Sequence, residues 1–411
     1  MKRDLESNFT KSNIEILREG PFKFLLIGVT SHAFTLWMEI VARNWLIWEM
    51  TGSIAAVGLV NFWRTIPVLF LAIPAGVIAD RFDRRAILII TQIGILLVYG
   101  SIVFLLIMDL LSLMVVYGLF FLRGVMIAFN QPPRQALIPT LVGKESVSQA
   151  VALQQLLFNG TRIISPILAG FLFATAGSIA VFAVITGIEM VVILAWISIK
   201  VPPSKIVTKI KISVLESTIE GLKYVKGQRV VLLLLLYGFI SLLLLQPFIV
   251  ILPSLAGERF NIGPEGFGAF VSMMGIGSLI GPLILTLMGD FKAKGTMVSV
   301  SMCFSGFGLI ALGLSPFLVL TMGILIIIGL FDSAQRTVTN GLLLTLTDPE
   351  YHGRVISLYL LDRGFVPLGS LFAGYAAESI GAPFALIIMG GTLSVGVLIL
   401  VMLKPNFLKA R

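Results

Sequence analysis

The chain is a succession of apolar runs of 20 to 27 residues separated by short polar breaks. The runs fall at 23–47, 54–79, 86–108, 112–131, 148–174, 178–199, 230–253, 266–288, 296–315, 317–341, 354–377 and 382–403. A stretch of about 20 apolar residues, coiled as a helix, crosses the hydrocarbon layer of a bilayer, and a longer one crosses it with tilt. Backbone groups in lipid must pair within their own segment, which favours helices. The runs show no period-two alternation, which argues against a β-barrel. The pattern predicts an all-α integral membrane protein with twelve transmembrane helices.

Composition agrees. Apolar residues make up 57% of the 411 positions and charged residues 12%, about half the charged share of a soluble domain. The polar stretch before the first run (MKRDLESNFTKSNIEILREG) lacks the form of a cleavable signal, so span one is expected to stay in the membrane. A net charge of +9 would suggest nucleic acid in a soluble protein. Here Lys and Arg gather in alternate loops: before span one, after spans two and four, through 200–229, near Lys292 and Lys294, at Arg354 and in the tail, with almost only Arg259 opposite. By the positive-inside rule this predicts a multi-pass cell-membrane protein with both termini cytoplasmic. The charge then faces anionic lipid, and no nucleic-acid partner is expected.

One stretch recurs. Residues 137–177 and 342–381 match at Thr140-Leu141 and Thr345-Leu346, Glu145 and Glu350, Ala169-Gly170 and Ala373-Gly374, and Gly177 and Gly381. The offset is steady at 204 to 205 residues, half the chain. Parallel repeats of six spans imply a central cavity and alternating access. The expected organisation is a cytoplasmic segment 1–22, a six-helix bundle 23–199, a linker 200–229, a second bundle 230–403 and a tail 404–411. Val201-Pro202-Pro203 stops span six. Val214, Leu215, Ile219, Leu222 and Val225 recur at helical spacing, which reads as an amphipathic surface helix or a solvated tether.

Gly76-Val77-Ile78-Ala79-Asp80-Arg81-Phe82-Asp83-Arg84-Arg85 resembles the loop motif G-x-x-x-D-R-x-G-R-R of the major facilitator superfamily, with Asp83 in place of Gly. The resemblance implies a cytoplasmic gate built on Gly76, Asp80, Arg81, Arg84 and Arg85, with Asp80 near the start of span eleven around Gly353 and Arg354. Gly76 is expected to permit close helix packing. Asp348-Pro349-Glu350 reads as the cap and first turn of span eleven. In span five, Gly160, Pro166 and Gly170 resemble the exporter motif GPxxGG, with Ser165 and Ala169 replacing Gly. A proline frees a carbonyl and bends the helix, and small residues allow tight crossing. Leu36-Trp37-Met38-Glu39, Arg134 through Pro139, Arg162 through Pro166 and Gly353 through Tyr359 extend the likeness to the enterobactin-exporter and macrolide-exporter branch. The resemblance implies the superfamily fold and a functional monomer.

Ionisable residues inside spans are costly and usually face a cavity or a partner. Glu39 and Arg43, and Asp332 and Arg336, are four apart and share a helix face. At the repeat offset Glu39 and Arg43 map near Leu245 and Ile249, and Asp332 and Arg336 near Ile127 and Gln131, so neither pair recurs. This supports function, with "structural ion pair" as the alternative. Glu39, Arg43, Arg123, Asp332, Arg336, Asp362 and Arg363 are the candidates for proton coupling or cavity lining. Glu39 is the first choice for the proton, with Asp332 and Asp362 as rivals; for Arg123 cavity lining is preferred. Arg64, Arg162 and Glu189 are further charges within spans. Trp37, Trp63 and Tyr237 are candidate substrate contacts. Trp45 and Trp48 fit an interfacial belt, and His32 a packed position.

Two His and one Cys offer no metal site or internal disulfide, and no cofactor is expected. No phosphate-binding G-x-x-x-x-G-K-[ST] is present. Nor are Gly-x-Ser-x-Gly or His-Glu-x-x-His, so no enzyme is expected. The expectation is a secondary transporter in which protons drive efflux of an amphiphilic small molecule such as a drug, macrolide or siderophore. The alternatives are import or lipid movement on the same fold, and a transport-inactive sensor or scaffold.

Overall fold

A computed structural model describes residues 20–199, 220, 223–289, 291, 293–348, 351, 355, 358, 362–403 and 407. Helices dominate: α1 Gly20–Thr51, α2 Ile54–Arg81, α3 Arg84–Ile107, a long run α4 Leu113–Ser198, α5 Arg229–Ile240, α6 Leu252–Ser254, α7 Gly263–Met288, α8 Lys294–Leu314, α9 Leu318–Leu346, α10 Val366–Ile380 and α11 Ala382–Leu403. Among the described residues ten stretches are long and apolar enough to cross a membrane. The count differs from twelve for two reasons. Gln149–Ser198 counts once, yet Gly177 turns within it at φ 78°, and its 50 residues exceed twice the roughly 20 that one crossing needs. Span eleven is described only in part: Val355 and Leu358 are helical, a 3-10 turn stands at Asp362–Phe365, and the 15 residues of α10 follow.

The expected break after span four is absent. The chain stays helical through Pro132, Pro133 and Pro139, although each removes a backbone donor from the helix. Span seven is the least regular. After α5 come a π turn at Ser241–Leu245, a 3-10 turn at Gln246–Val250 around Pro247, and a second π turn at Leu255–Arg259. Two caps set the ends of the hairpin α2–α3. Ser53 accepts the Ala56 N–H at 3.1 Å. Asp83, where the gate motif usually has Gly, accepts the Ala86 N–H at 2.8 Å and caps α3.

α1, α2 and α3 pack on α4, while α9 packs on α7 and α8, and α8 on α11. Two seams join these groups: α4 against α7, and α2 against α10. Glycine makes both. A Cβ on Gly170 would lie 2.4 Å from the Pro264 carbonyl, and one on Gly268 2.3 Å from the Pro166 carbonyl. A Cβ on Gly374 would lie 2.9 Å from the Ile54 carbonyl and 3.0 Å from the Gly58 Cα. Gly170 and Gly374 are a matched pair of the repeat, so the repeated motif is a seam motif. The matched Gly177 and Gly381 are also alike, with φ of 78° and 86°. Glu378 on α10 accepts the Ile54 N–H at 2.7 Å and the Ala55 N–H at 3.3 Å, capping α2 across the seam.

Trp45 and Trp48 are not a lipid belt. Trp45 is buried and stacks on Phe267, with centroids 6.5 Å apart, and the Trp48 ring covers Gly257. Both fill the junction at the Gly52 end. At the end of the linker Val225, helical within 223–227, is buried in the main core. Val214, Leu215, Ile219 and Leu222 lie outside the described residues.

Candidate functional site

Glu39 on α1 is fully buried and gathers three guanidiniums. Arg43, one turn on, pairs with its Oε1. Arg64 from α2 reaches Oε2 at 3.2 Å, and Arg123 from α4 reaches it at 3.0 Å. The backbone explains this convergence. Gly124 has no side chain, and a Cβ there would lie 2.3 Å from the Arg64 carbonyl. The α2–α4 approach at Gly124 brings Arg64 and Arg123 to one carboxylate. Arg43 also donates to Asn61 Oδ1 at 2.8 Å and Asn44 Oδ1 at 3.3 Å. Arg123 donates to the Tyr99 hydroxyl at 2.5 Å. The expected Glu39–Arg43 pair is present, and Arg123 is buried at 1% exposure.

A second buried cluster lies toward the Arg84 end. Glu189 accepts from Thr35 Oγ1 at 2.6 Å and from Gln92 Nε2, and its Oε1 is 3.6 Å from His32 Nδ1. Asn130 links Thr91 at 2.9 Å to Gln92 at 3.5 Å. The sequence reading placed Glu189 within span six without a role. Its partners come from spans one and three, and no local spacing signals them.

Asp332 on α9 pairs with Arg336, as the spacing predicts. Gln246 from the irregular span seven donates to both Asp332 oxygens at 3.2 Å. Asp332 is buried, whereas the Arg336 side chain is 35% exposed. Across the interface, Arg162 of α4 is close enough to interact electrostatically with both. The Arg162 guanidinium lies 4.8 Å over the Trp37 ring, and Trp37 meets Phe158 edge-on at 5.8 Å. Trp37 thus stands between Arg162 and Phe158. Of the other candidate aromatics, one departs from expectation. Tyr237 is fully buried, bonded to Ser299 at 2.9 Å and stacked on Phe407 at 5.1 Å. Trp63 is 37% exposed, against Phe62 and Phe121.

The gate and exporter motifs divide. Arg84 donates to the Ala136 carbonyl at 3.3 Å and Arg85 to the Trp196 carbonyl at 3.2 Å, so both bind within their own half. Arg81 ends α2 and is exposed. A Cβ at Gly76 would meet nothing within 4 Å, which corrects the expected close packing there. The Asp80 side chain, Gly353 and Arg354 lie outside the described residues, as do the side chains of Asp362 and Arg363. Asp348 binds the Tyr224 hydroxyl at 3.1 Å; Pro349 and Glu350 lie outside the described residues. In span five, Pro166 and Gly170 form the seam with α7. The Arg162 carbonyl, which Pro166 deprives of its helical donor, would lie 2.7 Å from a Cβ on Gly275. Gly160 faces open space, so it makes no tight crossing.

Residues 11–410 match the model of a family described as transmembrane secretion effector. The chain belongs to that family, a branch of the major facilitator superfamily. It is therefore a multi-pass membrane transporter, as the sequence predicts. It is 29% identical over 364 residues to the staphyloferrin A transporter of Staphylococcus aureus, covering 86% of this chain and 89% of the relative. It is 24% identical over 339 residues to macrolide efflux protein A of Streptococcus pyogenes, covering 81% and 83%. It is 24% identical over 398 residues to the enterobactin exporter of Shigella boydii, covering 95% and 94%. The nucleoside transporter NupG superposes with a TM-score of 0.75 at 13% identity, covering 93% of this chain and 99% of NupG. A bacterial homologue of the lysosomal transporter Spinster, inward-facing, gives 0.68 at 14%, covering 94% and 96%. These likenesses show the fold.

Proposed function

We propose that the chain is a proton-driven exporter of an amphiphilic small molecule, working by alternating access, with Glu39 as the coupling carboxyl. The observation that carries this is the gathering of Arg43, Arg64 and Arg123 on Glu39. A proton on Glu39 removes the charge that holds them, and three guanidiniums, which do not deprotonate, then repel. Protonation thus disfavours the packing of α1, α2 and α4 around the centre, and rearrangement relieves it. Asp332, Arg336, Asp362 and Arg363 form the opposing half of the pathway, while Trp37 meets the substrate. Efflux relatives for macrolides and siderophores support export.

Both termini are assigned to the cytoplasm on the loop charges. In that orientation the seams at the Gly52 end lie toward the outer face. Gly76, Asp80, Arg81, Arg84 and Arg85 then form the gate that closes the cytoplasmic face in the opposite state. The two bundles, 23–199 and 230–403, rock about the seams, and the unit is a monomer in the bilayer. The test is accumulation of candidate compounds in everted vesicles under an imposed pH gradient. Accumulation that needs the gradient supports export; accumulation only in right-side-out vesicles would show uptake.

A further inference from the structure

The buried charges do not balance. At the Glu39 centre three guanidiniums face one carboxylate. Arg162 and Arg336 both act electrostatically with Asp332, which pairs with Arg336. Elsewhere in the interior Glu189 lies near Arg134. The described interior therefore carries an excess of positive charge, and guanidiniums stay charged there. Charge at membrane depth is costly unless it meets a partner.

Two donors at one point sharpen this. Arg162 Nε and Trp37 Nε1 are both buried and have no hydrogen-bond partner among the described residues. They belong to side chains in cation–π contact. Buried donors are normally satisfied, and two beside a guanidinium match the two oxygens of a carboxylate or similar oxyanion. The Arg162 guanidinium lies over an aromatic face, and the carboxylate it interacts with, Asp332, is already paired with Arg336. Trp37 and Phe158 supply an apolar wall beside it.

We propose that the substrate is an amphiphilic oxyanion whose acidic group binds Arg162 and Trp37, with Arg336 across the interface. Its apolar part lies against Trp37 and Phe158. Asp332 competes with that acidic group for Arg336 and so keeps the affinity low enough for release. The proposal rests on reading the chain as a transporter with a central site, and deepens that reading by fixing the substrate's charge.

The test uses the full chain in nanodiscs and 1-pyrenebutyrate, followed by energy transfer from tryptophan, with the neutral methyl ester of the same probe as control and empty nanodiscs as background. The acid should bind saturably and at least tenfold tighter than the ester. Arg162→Gln should weaken the acid about tenfold or more, the loss expected for a charged hydrogen bond. Arg162→Lys, which keeps the charge, should weaken it less, and Asp332→Asn should strengthen it. Equal binding of acid and ester, or unchanged acid binding in folded Arg162→Gln and Arg162→Lys alike, would overturn the proposal. Binding at equilibrium needs no proton gradient, so failure here leaves coupling through Glu39 standing, and failure of coupling leaves this site standing.

Discussion

Gly170 and Gly160 lie ten residues apart in one helical run, and a methyl group should do opposite things at the two positions. An added Cβ at Gly170 would lie 2.4 Å from the Pro264 carbonyl oxygen and 2.9 Å from the Glu265 Cα, both backbone atoms. Comfortable contact is about 3.5 Å, so α4 and α7 must part by about 1 Å at that point. Overpacking of this kind costs about 1 to 3 kcal/mol. The cost falls only on the state with the seam closed, so it shifts the balance toward the opposite state about 5- to 150-fold. Gly160 has nothing within 4 Å. Alanine there should leave the balance alone and stabilise the helix by about 0.5 to 1 kcal/mol. Spin labels at Thr175 and Asn261, both exposed at that end, placed in a Cys303→Ser background, report the separation by electron–electron resonance. Gly170→Ala should add a longer distance, and Gly160→Ala should not. An unchanged distribution in folded Gly170→Ala, or the same change from both, would refute the seam argument.

Three further outcomes follow from the geometry. Glu378→Gln removes the charge that caps α2 across the second seam; at about 0.5 to 2 kcal/mol for such a cap, it should raise the population opened at the Gly52 end, measured as accessibility of a cysteine at Ser53 to a membrane-impermeant thiol reagent. Gly124→Ala pushes α2 from α4 at Arg64 and should cut gradient-driven transport more than tenfold at near-normal expression, whereas Gly118→Ala, in open space, should not. Tyr237→Ala empties a buried site and should cost about 3 to 5 kcal/mol, seen as a lower melting temperature in detergent, with substrate preference unchanged.

Apolar runs of membrane-spanning length were legible because lipid demands them, and the boundaries of α2, α3 and α11 follow the runs closely. Span seven was not: Pro247 and Pro253 were visible, but how the backbone re-pairs around them depends on neighbours. The repeat showed as Gly170 and Gly374, yet only the fold shows that both meet backbone from the other half. Glu39 and Arg43 were found because four residues is one helical turn. Arg64 and Arg123 had no such signal, since 25 and 84 positions separate them from Glu39 and a glycine crossing joins them. Tyr237 and Trp45 were misread for a related reason: an aromatic residue in a span looks alike whether it faces lipid, cavity or core. Asp83, a departure from the gate motif, proved to be the cap of α3.

Glu39→Gln tests the coupling role most directly when two modes of transport are compared in the same proteoliposomes. Uphill transport under an imposed pH gradient needs the proton; exchange of substrate across the membrane without a gradient does not. The account predicts that Glu39→Gln abolishes the first and retains the second, while Asp332→Asn retains pH-driven transport. Uphill transport that survives Glu39→Gln at the wild-type rate would contradict it.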